Sequence, residues 1–318
     1  MSHWVEDPSF PEVVTVGVVN FASVLRDKAA TLDKMERFTR DAARQGCDLV
    51  VFPELALNSW DGCKECLALP SGTSCEWHLG QAELVPGPAT DRMAALAAEL
   101  DIHVIFGMEE RDPHEPTKIY NASAVIAPDG ILGTYRKLHL GIPLETDRFS
   151  PGDSLPVWQT KLGPIGVLIC YDFWSNPETA RILALKGARL LVNTTGCKGA
   201  PGKRDYIVNT TVTRAQENIV YACTANRVDC HDKEPYIGSS VIAGPAFPQF
   251  NKVYAEAGST EALVVASLNF KQLGRFHDMF PWRRWRLGAQ SYASEVIAQE
   301  FRALADEAVE AGVPFATP

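Results

Sequence analysis

The chain has 318 residues, 46% of them hydrophobic and 22% charged, with 30 basic against 39 acidic side chains and a formal net charge of −9. That mixture can bury a sizeable core, and length alone allows one large domain or two small ones. Such acidity disfavours nucleic-acid phosphates and anionic lipid as partners, and no stretch approaches the roughly 20 apolar residues that cross a bilayer.

Met1 to Phe10 carries Glu6 and Asp7 with no apolar run, which argues against a signal peptide and for a cytoplasmic protein. Eight cysteines in so long a chain point away from disulfide staples and toward free thiols. Val13 to Asn20 reads as a buried strand. Leu32 to Arg44 follows with helical spacing of Leu32, Met35, Phe38 and Ala42, stopped by Gly46. Asp48 to Phe52 is a second strand. Asn58 to Pro88 is the longest irregular stretch and reads as an insertion loop. Thr90 is placed to cap a helix over Asp91 to Leu100. Strands are predicted at Ile102 to Met108, Ala122 to Ala127 and Tyr135 to Leu140, with a turn at Asp129-Gly130. The second half gives a strand ending at Cys170, a helix over Glu178 to Lys186 and a strand at Leu190 to Asn193. A helix over Asp205 to Asn218 and a strand at Val220 to Ala225 come next. Ser239 to Ala243, Lys252 to Ala255 and Ala262 to Ser267 close the set as strands. From Phe270 a polar, aromatic tail has some helical character. Its basic run, Trp282 to Arg286, suits a solvated or interface-lining segment. No Ser/Gly/Pro-rich linker divides the chain. The alternation predicts an α/β fold with mixed, layered sheets.

Four positions at or just beyond predicted strand ends carry chemistry-bearing side chains. Glu54 emerges behind Pro53 from the apolar run Val50-Val51-Phe52. Its partial desolvation suits a general base, although a capping or ion-paired Glu would look the same. In Tyr135-Arg136-Lys137-Leu138-His139-Leu140, alternation sends Arg136 and Lys137 to opposite faces. One cation therefore points inward, where an ammonium can stabilise an oxyanion or a thiolate, unless it only guards a sheet edge. Cys170 ends Gly166-Val-Leu-Ile-Cys170-Tyr-Asp172 just before a helix, where backbone N–H groups lower a thiol's pKa; taken alone, it reads first as a small buried apolar residue. Glu145 lies in a loop eight residues beyond Lys137 and, by itself, reads as solvated.

The order Glu, Lys, Glu, Cys at strand ends resembles the nitrilase (carbon–nitrogen hydrolase) superfamily, over about Val14 to Arg286. The likeness rests on V-V-F-P-E-L at Glu54, P-G-P-A-T-D-R at Pro86 to Arg92, Y-N-A-S at Tyr120 to Ser123 and Y-R-K-L-H-L at Lys137. It continues in L-I-C-Y-D at Cys170, G-A-R-L-L-V-N, R-A-Q-E-N at Arg214 to Asn218 and A-N-R at Ala225 to Arg227.

The resemblance implies a four-layer αββα sandwich in one domain, residues 1–318. The tail from about 270 to 318 would lie at the interface of a homodimer or higher assembly. It implies Cys170 as nucleophile, Glu54 as general base, Lys137 as oxyanion holder and Glu145 as its orienter, with no metal or organic cofactor. Cys170-Tyr171-Asp172, in place of Cys-Trp-Glu, is similar to amidases and carbamoylases rather than nitrilases proper. The implied reaction is hydrolysis of a small primary amide to acid and ammonia through a thioester. The alternative is hydrolysis of a carbamoyl amine to ammonia and carbon dioxide; a true nitrilase or a non-catalytic member are the remaining options. Pro177-Glu178 falls one position later than the family's usual Pro-Glu pair, so the turn after Cys170 carries an extra residue. Trp60, Phe149, Tyr171, Phe173, Trp174, Thr194 and Thr195 are the expected substrate-binding residues, with Arg148, Lys198 or Arg204 in reach of a substrate carboxylate. Cys63-x-x-Cys66 and Cys75-x-x-His78 have ligand types that could hold zinc, although the resemblance calls for none.

Overall fold

The computed structural model describes residues 9–58, 65, 68–69, 74–141, 143–229, 234–281 and 287–312. Two six-stranded sheets form its centre. The first runs β12-β1-β2-β3-β4-β5 and the second β11-β10-β9-β8-β7-β6. In the first, β1 (Val13–Asn20), β2 (Leu49–Val51) and β3 (His103–Arg111) are parallel; β4 (Ile119–Ala127), β5 (Gly130–Arg136) and β12 (Ala262–Asn269) join antiparallel. In the second, β7 (Gly163–Ile169), β8 (Leu190–Thr195) and β9 (Tyr221–Asn226) are parallel; β6 (Val157–Thr160), β10 (Val241–Gly244) and β11 (Lys252–Glu256) flank them antiparallel.

Strand alternation explains the layering. Val16, Val18, Leu49, Val51 and Ile105 of the first sheet share one core with Val167, Val192, Tyr221 and Ile242 of the second. Their neighbours Val19, Val50, Phe52, Val104 and Phe106 turn the other way, onto Leu32 and Met35 of α1 (Lys28–Arg44) and Met93 and Leu96 of α3 (Pro88–Leu100). Helices α6 (Pro177–Leu185) and α7 (Lys203–Asn218) supply Leu183 and Ile207 to the core of the second sheet. The expected four-layer αββα sandwich with mixed sheets is the observed architecture.

Local differences have physical causes. Helix α3 starts earlier than predicted, with Gly87 as N-cap and Pro88 in its first turn. Thr90 therefore sits inside the helix, where its hydroxyl accepts from the Gly87 N–H at 2.9 Å. Strand β5 stops at Arg136 instead of Leu140, because the Leu138 and His139 N–H groups turn to the Asp172 carboxylate. Part of the expected loop Asn58 to Pro88 is the short helix α2 (Glu76–Gln81). Two further short helices, α4 (Pro143–Arg148) and α5 (Tyr171–Trp174), follow Lys137 and Cys170. The tail holds α8 (Phe270–Met279) and the 24-residue α9 (Leu287–Glu310), whereas the basic run Trp282 to Arg286 lies outside the described residues. Among the described residues no helix is long and apolar enough to cross a membrane.

Candidate active site

Glu54 leaves β2 on a turn that passes close over β3. A side chain at Gly107 would place its Cβ 2.3 Å from the Leu55 nitrogen, so only glycine admits the turn. Arg227, just past β9 in the other sheet, fastens this turn by donating to the Glu54 carbonyl at 3.2 Å and the Leu55 carbonyl at 2.8 Å. The Glu54 carboxylate is buried and accepts from three donors, which leaves one acceptor position on Oε2. Oε1 accepts from Lys137 Nζ at 2.9 Å and Asn121 Nδ2 at 2.7 Å, and Oε2 accepts from the Gly196 N–H at 2.8 Å.

Lys137 follows β5 directly and points inward, while Arg136 points out to Glu110 at 2.7 Å, as alternation requires. The Lys137 ammonium bonds both Glu54 and Glu145. Glu145, on α4, takes the Gly141 N–H at 2.7 Å on its second oxygen and Asn121 Nδ2 at 3.2 Å on its first. Burial disfavours the Lys137 charge most strongly, but Glu54, Glu145 and Cys170 together outweigh it and hold its pKa well above that of a free lysine. Burial likewise raises Glu145; Lys137 opposes the shift and Glu54 adds to it.

Cys170 ends the run of β7. Its backbone sits at φ 48° and ψ −103°, a conformation that costs a non-glycine residue about 1–3 kcal/mol. Its N–H donates to the Thr194 carbonyl at 2.9 Å and to Asn193 Oδ1 at 3.0 Å. The carbonyls of the following short helix are tied down as well. Thr179 donates to Asp172 O at 2.7 Å, and Arg214 to Phe173 O at 3.0 Å and Trp174 O at 3.1 Å. The strained turn is thus held from β8, α6 and α7.

The expected lowering of the thiol pKa is not what this environment produces. The Cys197 thiol beside it, burial and Glu54 push Cys170 well up, against the pull of Lys137. One ammonium already serves two carboxylates, which leaves no net positive charge to favour a thiolate. Cys197 itself is shifted down, chiefly by the Cys170 thiol. Asn121 and Cys197 are the members of this cluster that sequence reading did not single out, whereas Gly196 is placed at the pocket by its position after the strand ending at Thr195. The Y-N-A-S block containing Asn121 was the one available signal.

The expected substrate-binding residues divide. Tyr171 is 41% exposed and lies over Gly141, whose Cβ would come within 2.8 Å of the ring. Trp174 donates its indole N–H to the Thr195 hydroxyl at 3.1 Å, and that hydroxyl also meets Cys197 Sγ at 3.5 Å. Phe173 is buried in the main hydrophobic core against Trp174, and Thr194 shares a hydrogen bond with Ser123 across the sheets at 2.8 Å. Phe149 packs on Leu55, Ala82 and Ile119 beside the Glu54 turn. Trp60 lies outside the described residues. The three cations considered for a substrate carboxylate each face a carboxylate of the protein: Arg148 faces Glu109 at 3.7 Å, Lys198 Glu234 at 3.9 Å and Arg204 Glu256 at 2.7 Å. Cys63 and Cys66 of the zinc hypothesis lie outside the described residues; Cys75 Sγ is 3.3 Å from His78 Nδ1. No group of three or more His, Cys, Asp or Glu placed to hold a metal occurs among the described residues.

The carbon–nitrogen hydrolase family model matches residues 15–278, which spans both sheets and all four charged or nucleophilic positions. The chain belongs to the carbon–nitrogen hydrolase family. This hydrolase is 31% identical over 270 residues to the omega-amidase NIT2 of Xenopus tropicalis, covering 81% of this chain and 90% of that one. It is 34% identical over 235 residues to a Schizosaccharomyces pombe protein described as a probable nitrilase, covering 72% and 80%. Its fold is similar to that of Saccharomyces cerevisiae Nit3, a member of branch 10 of the nitrilase superfamily. There the TM-score is 0.73 and the identity 25%, over 86% of this chain and 96% of that one.

Proposed function

We propose that this carbon–nitrogen hydrolase is an amidase that cleaves a small primary amide to a carboxylic acid and ammonia, with Cys170 as nucleophile. The single observation that supports it most is the convergence of Glu54, Lys137 and Glu145, all buried, beside a thiol held on a strained turn. The relatedness to omega-amidases supports the choice of an amide.

In this reading Cys170 rests as a thiol, because its surroundings hold its pKa up. Its proton passes to Glu54 as sulfur attacks the amide carbon. The carbonyl oxygen becomes an oxyanion between the Lys137 ammonium and the Tyr171 N–H, which opens a helix and has no acceptor within it. The tetrahedral intermediate collapses, the C–N bond breaks, and Glu54 returns the proton to the departing ammonia. Water then adds to the thioester with Glu54 as base, the C–S bond breaks, and the acid leaves with the thiol restored. Glu145 keeps Lys137 charged and aimed.

The protein would act as one domain with small-molecule substrates. A second copy would pair along the C-terminal segment, 270–318; the exposed Tyr292, Phe301, Leu304 and Val309 of α9 support this. Light scattering during gel filtration should give a dimer or a higher even-numbered assembly, and a monomer would remove the pairing. The proposed location is the cytoplasm, and the five described cysteines, all free, suit a reducing compartment.

The test is a panel of primary amides, carbamoyl amines and nitriles, assayed for ammonia and carbon dioxide. Amide turnover with an acyl adduct of matching mass on Cys170 supports the reading. Carbon dioxide from carbamoyl substrates alone replaces the amidase by a carbamoyl hydrolase, and turnover of nitriles alone replaces it by a nitrilase. Cys170→Ala should abolish activity and Cys63→Ala should not; full activity in Cys170→Ala would end the proposal.

A further inference from the structure

The segment joining Lys137 to Glu145 does not hang free between them. It is seated on Tyr171 and Asp172, the two residues that follow Cys170. The Asp172 carboxylate is wholly buried and accepts from four donors. The Tyr135 hydroxyl and the Leu138 N–H reach Oδ2 at 2.7 and 3.4 Å. The His139 N–H and ring Nδ1 reach Oδ1, both at 2.8 Å. These donors flank Lys137 on both sides in sequence, while the Lys137 side chain itself goes to Glu54 and Glu145. Three residues beyond Leu138, Gly141 lies against the Tyr171 ring and gives its N–H to Glu145. On the other side, the backbone carbonyl of Asp172 is held by Thr179.

The geometry points to Asp172 as a positioning residue, which locks the 135–141 segment to the Cys170 turn and so fixes the Lys137 ammonium and Glu145 relative to the thiol. This inference rests on the amidase reading of the same site. A carboxylate suits the task because two oxygens can take four donors at once, whereas an amide offers one oxygen. The link also crosses between the sheets, from β5 of the first to the end of β7 in the second. Hydrogen bonds across such a join set the approach of oxyanion holder and nucleophile, where an error near 1 Å can cost on the order of 10²-fold in rate.

The test uses Asp172→Asn, Tyr135→Phe and His139→Ala in the full chain. Each is measured for kcat and KM on the best primary amide, for thermal midpoint, and for the pH profile of Cys170 alkylation by iodoacetamide. Asp172→Asn should lower kcat by about 10–100-fold with KM within twofold. Its alkylation midpoint should move to higher pH, because Lys137 would no longer be held where it favours the thiolate. Tyr135→Phe and His139→Ala each remove one donor and should move both readings the same way by less; they carry the test if Asp172→Asn does not fold. A folded Asp172→Asn enzyme with kcat within twofold of the parent and an unmoved alkylation profile would overturn the inference. A lower thermal midpoint with neither kcat nor the profile changed would overturn it too, as a merely structural role. Activity in Cys170→Ala would instead sink the amidase reading, so the two failures are distinguishable.

Discussion

Glu54 Oε2 takes the backbone N–H of Gly196 at 2.8 Å, a bond between residues 142 apart that ties the exit of β2 in one sheet to the loop after β8 in the other. With Lys137 and Asn121 on Oε1, this bond leaves the carboxylate one orientation. Glu54→Gln keeps the shape but replaces one acceptor oxygen with an NH₂ group and removes the base. Ammonia release should fall by about 10²-fold or more, with the fold intact by circular dichroism. Retention of a tenth of the parent activity would contradict a proton-transfer role.

Asn121 donates from one nitrogen to both Glu54 and Glu145. Asn121→Ala removes a charge-assisted donor from each carboxylate, interactions worth about 1.5–3 kcal/mol. A loss of about 10–100-fold in kcat should follow, read in steady-state assays on a primary amide. An unchanged kcat would show that the two carboxylates keep their places without it.

Cys197 is the foremost influence raising the Cys170 pKa. Its removal in Cys197→Ala should therefore let the Cys170 thiol ionise at lower pH. Iodoacetamide alkylation of Cys170, followed by peptide mass against pH, should show a midpoint below the parent's. A midpoint that stays or rises would reverse the assignment.

Arg227 is buried with Asp229, donating from Nε to Oδ1 at 2.9 Å and from Nη2 to the second oxygen, besides holding the Glu54 turn. Arg227→Met leaves the buried Asp229 carboxylate without its arginine, a loss of about 3–5 kcal/mol. At about 2–4 °C per kcal/mol for a large domain, the thermal midpoint should drop by roughly 10 °C. A shift under 2 °C in calorimetry would show that Asp229 finds another partner.

Glu54 and Cys170 were legible because each follows an apolar run that reads as a strand, and Lys137 because alternation turns one of two adjacent cations inward; Glu145 sits in a loop and was legible only through the family resemblance. The layering of helices on mixed sheets was legible because single strands carry apolar residues on both faces, as Val50 and Val51 do when they enter different cores, whereas the four-layer sandwich came from the family resemblance. Asn121 was hidden because it lies within β4, where one polar residue among Ile119, Ala122 and Ala124 reads as a packing detail. Gly196 contributes a backbone N–H, which no side-chain pattern reveals. Cys197 meets Cys170 only after β7 and β8 pair. The direction of the Cys170 shift was misread for a related reason. The helix after it was visible in sequence, whereas the second thiol and the pairing of the lysine's charge with two carboxylates were products of folding.

Glu54, Asn121, Lys137 and Glu145 come from the first sheet and the chain adjoining it, and Cys170, Gly196 and Cys197 from the second. The reacting atoms therefore straddle the seam where two separately hydrogen-bonded slabs meet. Backbone ladders stiffen each slab internally, and the spacing between base and nucleophile is set by side chains interleaved across the seam together with the few hydrogen bonds that cross it, such as the Gly196 N–H to Glu54 and the Phe21–Arg227 bridge. Volume changes at apolar positions of this seam, at Val167 or Ile105 for instance, can thus tune turnover by shifting one slab against the other.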